Sequence, residues 1–142
     1  FLAVSFAFSG CDESASFKVV PVSGVVTLDG KPVTGATVTF QPRATGSDVA
    51  GPGSTAQCDA DGRFQLRTIR GDAGAVVGLH KVTIFPSYAR NSAEGSAGAD
   101  SDTRVLTGPS IPDRYNFRST LSFDVSAGGT TSADFQLTSA PE

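Results

Sequence analysis

From Phe17 onward, apolar residues come in short runs in which they alternate with polar ones, and every run is cut off by Gly, Pro, Asn or Asp. A period of two belongs to a strand with one face buried and one face wet, and its recurrence at short spacing marks a β-sandwich. Val22, Gly24, Val26 and Leu28 share one face of a first strand, after which Asp29-Gly30 supplies a turn into Lys31-Pro32. Ala36, Val38 and Phe40 alternate with Thr37, Thr39 and Gln41, and Pro42 closes that strand. A Gly/Pro/Ser-rich connection, 43–53, leads to Ser54–Cys58, then to a turn at Asp59-Ala60-Asp61-Gly62, then to 63–67. That stretch reads as a hairpin with Phe64 and Leu66 inward. His80, Val82 and Ile84 face one way from the next strand, and Leu79, Lys81 and Thr83 the other. A final hairpin is predicted from Leu121, Phe123 and Val125 through Ala127-Gly128-Gly129 to Ala133, Phe135 and Leu137.

Residues 87–110 break this rhythm. They are rich in Gly, Ser, Ala and Asp, offer little apolar surface to offset the entropy of ordering, and read as a flexible surface loop. Composition supports the strand reading: Gly, Ser and Thr number 16, 17 and 14 of 142 residues and charged residues make up only 18%, a balance that disfavours a helical bundle. A net charge of -3 leaves no footprint for nucleic acid. The expectation is an all-β, antiparallel Greek-key sandwich of about seven strands over 17–139.

The first eight residues, Phe-Leu-Ala-Val-Ser-Phe-Ala-Phe, carry no charge and only one polar residue. At about 1.5 Å per helical residue they span far less than the ~30 Å of a hydrocarbon layer. They read as the back half of a signal-peptide h-region. Phe8-Ser9-Gly10-Cys11 resembles the bacterial lipobox, with Phe8 where Leu is usual, and the resemblance implies that Cys11 is acylated and becomes the first residue after cleavage. Residues 1–10 are then a partial lipoprotein leader and 11–16 a polar tether. The lipid anchors the chain to a membrane on the periplasmic or extracellular side of a bacterial cell envelope. Asp12 resembles an inner-membrane retention signal whose rule varies between bacteria. An acylated Cys11 leaves Cys58 without a partner and acting as a small apolar packing residue; a Cys11–Cys58 bridge is the rival.

Val22-Ser-Gly-Val-Val-Thr-Leu-Asp-Gly-Lys-Pro-Val-Thr-Gly-Ala-Thr-Val-Thr-Phe40 resembles the opening of carboxypeptidase regulatory-like domains, which have the transthyretin-like sandwich. Cys58-Asp-Ala-Asp-Gly-Arg-Phe64 is similar to their Thr-Asp-x-x-Gly-x-Phe hairpin, and Gly78–Ile84 to their Gly-x-Tyr-x-Val-x-Val strand, with His80 where Tyr is usual. Ile111-Pro-Asp-Arg-Tyr115, before a strand pair ending at Leu137, further resembles small exported bacterial lipoproteins built from one such domain. The resemblance covers about 20–137.

Candidate chemistry is sparse. Asp59 and Asp61, with Asp29, supply oxygens that suit calcium, but Asp-x-Asp-Gly without further ligands reads as a hairpin turn. Glu94, Asp100 and Asp102 read as solvating charges in the long loop. His80 is the only imidazole, too few for a catalytic zinc site, and reads as a hydrogen-bonded core histidine. Gly-x-Ser-x-Gly is absent. The fold resemblance invites comparison with transthyretin-related hydrolases and intradiol dioxygenases, whose His and Tyr sets this chain cannot fill. No cofactor or metal and no enzymatic activity are expected. Arg63, Arg67, Arg70, Arg114 and Arg118 are candidates for a basic rim, with Arg63 and Arg67 on one strand face. Thr37, Thr39 and Thr83 give a polar outer sheet face. The expected work is binding or display toward an envelope protein or a glycan. A purely structural envelope component is the alternative, and a small hydrolase is the remote one.

Overall fold

The computed structural model describes residues 17–44, 50–90 and 104–140. Cys11, the leader and the tether lie outside the described residues, as do Glu94, Asp100 and Asp102. In chain order the strands are β1 (Val19–Val20), β2 (Ser23–Leu28), β3 (Lys31–Pro32), β4 (Thr37–Pro42), β5 (Ser54–Gln57), β6 (Arg63–Gln65) and β7 (Arg67–Thr68). They continue with β8 (Ala75–Val76), β9 (Gly78–Phe85), β10 (Tyr88–Arg90), β11 (Arg104–Leu106), β12 (Ser122–Val125) and β13 (Phe135–Leu137). The one helical element among the described residues is a 3-10 turn at Asp113–Tyr115.

Two sheets enclose one core. The larger runs β12-β9-β4-β5-β7, antiparallel throughout; the smaller runs β13-β2-β3, with β6 also paired to β2. Alternation decides what each strand buries. Val22, Val26, Val38, Phe40, His80, Val82 and Ile84 are buried, while Thr37, Thr39, Lys81 and Thr83 line the outer face of the larger sheet. Phe40 sits at the centre of the core. Its ring lies 5.6 Å from Phe123 of its own sheet, and 6.5 and 6.0 Å from Phe64 and Phe135 of the opposite one, so aromatic contacts hold the two layers together. The β2–β3 turn places Asp29 and Gly30 at φ 51° and 81°, the two positive values that a two-residue hairpin of right-handed twist requires.

Four local expectations are revised. Ser54–Arg67 is not a simple hairpin: Asp59 N donates to Arg63 O at the turn, but β6 then pairs with β2, and the chain returns to the larger sheet only as β7, beside β5. Phe64 and Leu66 still point inward, because burial governs the face and not the neighbour. Leu121–Leu137 is not a hairpin either. β12 pairs with β9, and β13 crosses to the other sheet to pair in parallel with β2, so the fold is not purely antiparallel.

The third revision concerns 87–110. Its flanks form an antiparallel ladder, Tyr88 opposite Leu106 and Ala89 opposite Val105, and Thr107 N donates to Ser87 O at 2.9 Å. Backbone hydrogen bonds thus order the stem of a segment whose composition alone argues against order. Fourth, Arg63 and Arg67 do not share a face, since they lie in different sheets.

Candidate functional site

At one end of the larger sheet, β4 begins with Thr37, β5 ends with Gln57 and β9 ends with Phe85. The register places Thr37 between the other two. All three point to the outer face. Pro86-Ser87-Tyr88 then bends over them, and a groove of about 390 Å³ opens between the sheet and this bend, lined by Gly35, Thr37, Gln57, Phe85, Pro86, Ser87 and Tyr88. That volume lies within the roughly 300–1,000 Å³ usual for small-molecule sites.

Gly35 makes the groove possible. Its φ of 74° turns the chain into β4, and a Cβ there would lie 2.9 Å from Ser87 Oγ. Ser87 is held in place by Thr107, whose Oγ1 donates to Ser87 Oγ at 2.9 Å.

The lining combines hydroxyl, amide and aromatic groups, and no lining side chain carries a charge. Tyr88 is 48% exposed. Phe117 is 79% exposed and packs edge-to-face on Phe85, centroids 5.2 Å apart, which extends the aromatic surface beyond the groove. Such a surface offers flat rings for stacking and neutral donors and acceptors for hydrogen bonds.

Of the described residues singled out from the sequence, Thr37 lines the groove and the others sit elsewhere. Asp59 Oδ1 accepts from Asp61 N at 2.9 Å and Arg63 N at 3.0 Å, which is turn chemistry. Asp29 accepts from Ser139 N at 3.0 Å and from the Ser139 hydroxyl. These bonds, with Arg114 and Lys31 adding, hold its carboxyl below the usual range. Among the described residues, no three His, Cys, Asp or Glu side chains converge on one point.

His80 is fully buried against Phe40, and its Nε2 donates to Val76 O at 2.7 Å; among the described residues Nδ1 has no hydrogen-bond partner. Cys58 is buried, and burial first, then the Asp59 charge, pushes its thiol up to about 11, so it stays protonated at neutral pH.

Arg114 donates to Thr138 Oγ1 at 3.0 Å and to Ala140 O at 2.7 Å, and also to Thr138 O, while its guanidinium lies 4.9 Å from the Tyr115 ring. Thr138 N donates to the Tyr115 hydroxyl at 3.1 Å. Arg114 and Tyr115 therefore form a clamp on the segment after β13. Thr39 and Thr83 are direct cross-strand partners, so the polar outer face is continuous from β4 to β9. Phe85, Tyr88 and Phe117 were not singled out by sequence reasoning, since the groove joins chain segments that only the fold brings together.

The groove also has a defined position along the molecule. β1 pairs with β8, and Val77 N donates to Lys18 O, so the described chain enters beside Gly78, the first residue of β9. Phe85, the last residue of β9, lies in the groove, roughly 24 Å away along an extended strand. Entry and groove occupy opposite ends. No family model, curated protein or solved structure matches this chain.

Proposed function

We propose that this chain is a bacterial envelope lipoprotein, acylated on Cys11, whose non-catalytic sandwich binds an uncharged glycan in the groove between Thr37, Gln57, Phe85 and Tyr88. The topology we assign to it is the Greek key of transthyretin-like, carboxypeptidase regulatory-like domains. The motifs at 22–40, 58–64 and 78–84, and two facing sheets around an aromatic core, support that assignment.

The observation that carries the binding reading is the lining itself. Aromatic faces with hydroxyl and amide groups, and no charge, match the alternating apolar and hydroxyl faces of a sugar ring better than they match a phosphate, a carboxylate or a peptide with charged side chains. Location agrees. The described chain begins at the end opposite the groove, so a lipid on Cys11 would leave the groove facing away from the membrane.

Intact mass of protein purified from membranes tests the anchor, with a diacyl or triacyl increment on Cys11 as the expected result. Titration against neutral envelope oligosaccharides tests the groove. Tyr88→Ala is expected to weaken binding about tenfold, as truncating an aromatic anchor commonly does. An absence of saturable binding in the wild-type chain would leave the purely structural envelope component as the reading that stands, and a preference for protein ligands would replace the glycan.

A further inference from the structure

We propose that the groove is the inner part of a longer site that takes a neutral oligosaccharide, with one ring of the sugar chain in the groove and the next stacked on Phe117. The proposal rests on the glycan reading above and adds to it the length of the ligand and the side chain that senses that length.

The register sets Gln57, Thr37 and Phe85 side by side on the outer faces of β5, β4 and β9. On its other edge, β9 is paired with β12 only from Gly78 to Lys81. Beyond that ladder the strand is met by the 111–119 turn: Ser119 Oγ donates to Val82 O, and the Phe117 ring packs edge-to-face on Phe85 with centroids 5.2 Å apart. Phe117 therefore carries the row on past Phe85. Two strand spacings of about 4.8 Å plus the ring separation give a row of about 15 Å, longer than one sugar ring.

Phe117 is 79% exposed, yet the turn that carries it is not slack. Asn116 is buried; its Oδ1 accepts from Phe117 N at 2.7 Å, and its Nδ2 donates to Ile111 O and Pro112 O, both at 3.3 Å. Arg118 N donates to Asp113 O at 2.9 Å, and Ser119 N to Asn116 O at 3.1 Å. A buried amide and a set of main-chain bonds thus fix the backbone on both sides of a ring that stands in water. Backbone fixed in advance lowers the ordering cost of a stacking contact. A single exposed aromatic is ordinary on a protein surface; this one touches Phe85, which itself lines the groove, so a ligand in the groove has the ring beside it.

Charge points to the same occupant. No lining side chain is charged, and the segments 88–106 and 111–119, which carry Tyr88 and Phe117, hold four Arg and four Asp or Glu between them. That balance selects neither an anionic nor a cationic partner. A sugar chain needs neither, since each ring offers an apolar C–H face to an aromatic side chain and hydroxyls at its rim to groups such as Thr37 and Gln57.

NMR titration of the isotope-labelled full chain with glucose, galactose and N-acetylglucosamine oligomers, one to four units long, tests the proposal. In the series that binds, affinity is expected to rise about tenfold from one unit to three. Phe117→Ala is expected to weaken the trisaccharide about tenfold and the single sugar by less than twofold. Phe117→Leu, which keeps bulk against Phe85 but has no flat face, should show the same selective loss, and Phe117→Tyr should retain the wild-type affinity. Tyr88→Ala weakens both lengths. The proposal is overturned if affinity ignores length, if Phe117→Leu binds the trisaccharide as wild type does, or if Phe117→Ala loses the single sugar equally. A dimer that Phe117→Ala separates also overturns it and assigns the ring to an interface between copies. The two failures are distinct: binding indifferent to length and to Phe117 leaves the groove standing, whereas no saturable binding in any series removes the glycan reading and this extension together.

Discussion

Gly24→Ala is the most demanding single test of how the two sheets are closed. Gly24 lies on the buried face of β2, where an ideal Cβ would stand 2.1 Å from Ala133 O and 2.4 Å from Ala133 C. Ordinary contact begins at 3.4 Å, so the obstacle is backbone and must move by more than an ångström. That backbone is held by Ala133 N donating to Ser23 O at 3.0 Å and by Ser23 N donating to Thr130 O at 2.9 Å. Losing both bonds costs about 0.5–1.5 kcal/mol each, and overpacking adds about 1–3 kcal/mol, giving a loss of about 4 kcal/mol. Against a total stability of about 5–15 kcal/mol, a drop of that size leaves the chain folded but marginal. In urea unfolding, with a slope of about 2 kcal/mol per M, the midpoint is expected to fall by about 2 M. Gly128→Ala is the matched control: its Cβ meets nothing within 4 Å, and its stability is expected to stay within about 0.5 kcal/mol of wild type. A Gly24→Ala midpoint as close to wild type as that of the control would refute the close approach of the Ala133 backbone to β2.

Arg114→Ala removes the clamp on Thr138 and Ala140, and is expected to cost about 1–2 kcal/mol and to speed amide hydrogen exchange after β13 before it does so elsewhere. Asp29 binds its proton more weakly folded than unfolded, so its contribution to stability is present above the unfolded value of 3.8 and is lost as pH falls below it; Asp29→Asn should flatten the acid limb of the stability curve in that window. Cys58 behaves oppositely, since the folded chain holds the thiol proton to about 11 against 9.0 unfolded: stability is undiminished below pH 9 and declines from there to about 11, and Cys58→Ala should abolish that decline. At pH 8 a thiol reagent is expected to modify Cys58 only as fast as the fold opens.

Which way a side chain faces was legible from alternation; which strand lies beside it was not. Val38, Phe40, Val82 and Ile84 are buried as their spacing requires, because a period of two is a local property. Leu66 meets the same rule, yet nothing in its neighbourhood shows that the chain changes sheets on either side of it. That switch depends on β2 offering an edge to β6, a contact between segments far apart in sequence. β13 is the stronger case, as its short alternating run fits a hairpin with β12 and a parallel partner in β2 equally well. The groove was hidden for a further reason. Exposed Phe117 and Tyr88 look like incidental surface residues until Phe85 and the ordered stem at 88 and 106 are placed beneath and beside them. Asp29 and Arg114 read as generic charges until Ser139 and Thr138 arrive beside them.

The parallel alignment of β13 with β2 governs the order in which the molecule can be completed. Val25 N donates to Asp134 Oδ1 across 109 residues, and the neighbouring ladder is equally remote, so a polypeptide emerging residue by residue holds its second strand with one edge vacant until residues 134–137 are free. Loop closure over that span is slow, which keeps the nascent polymer open and threadable until then. The Arg114 guanidinium then captures the residues after Leu137.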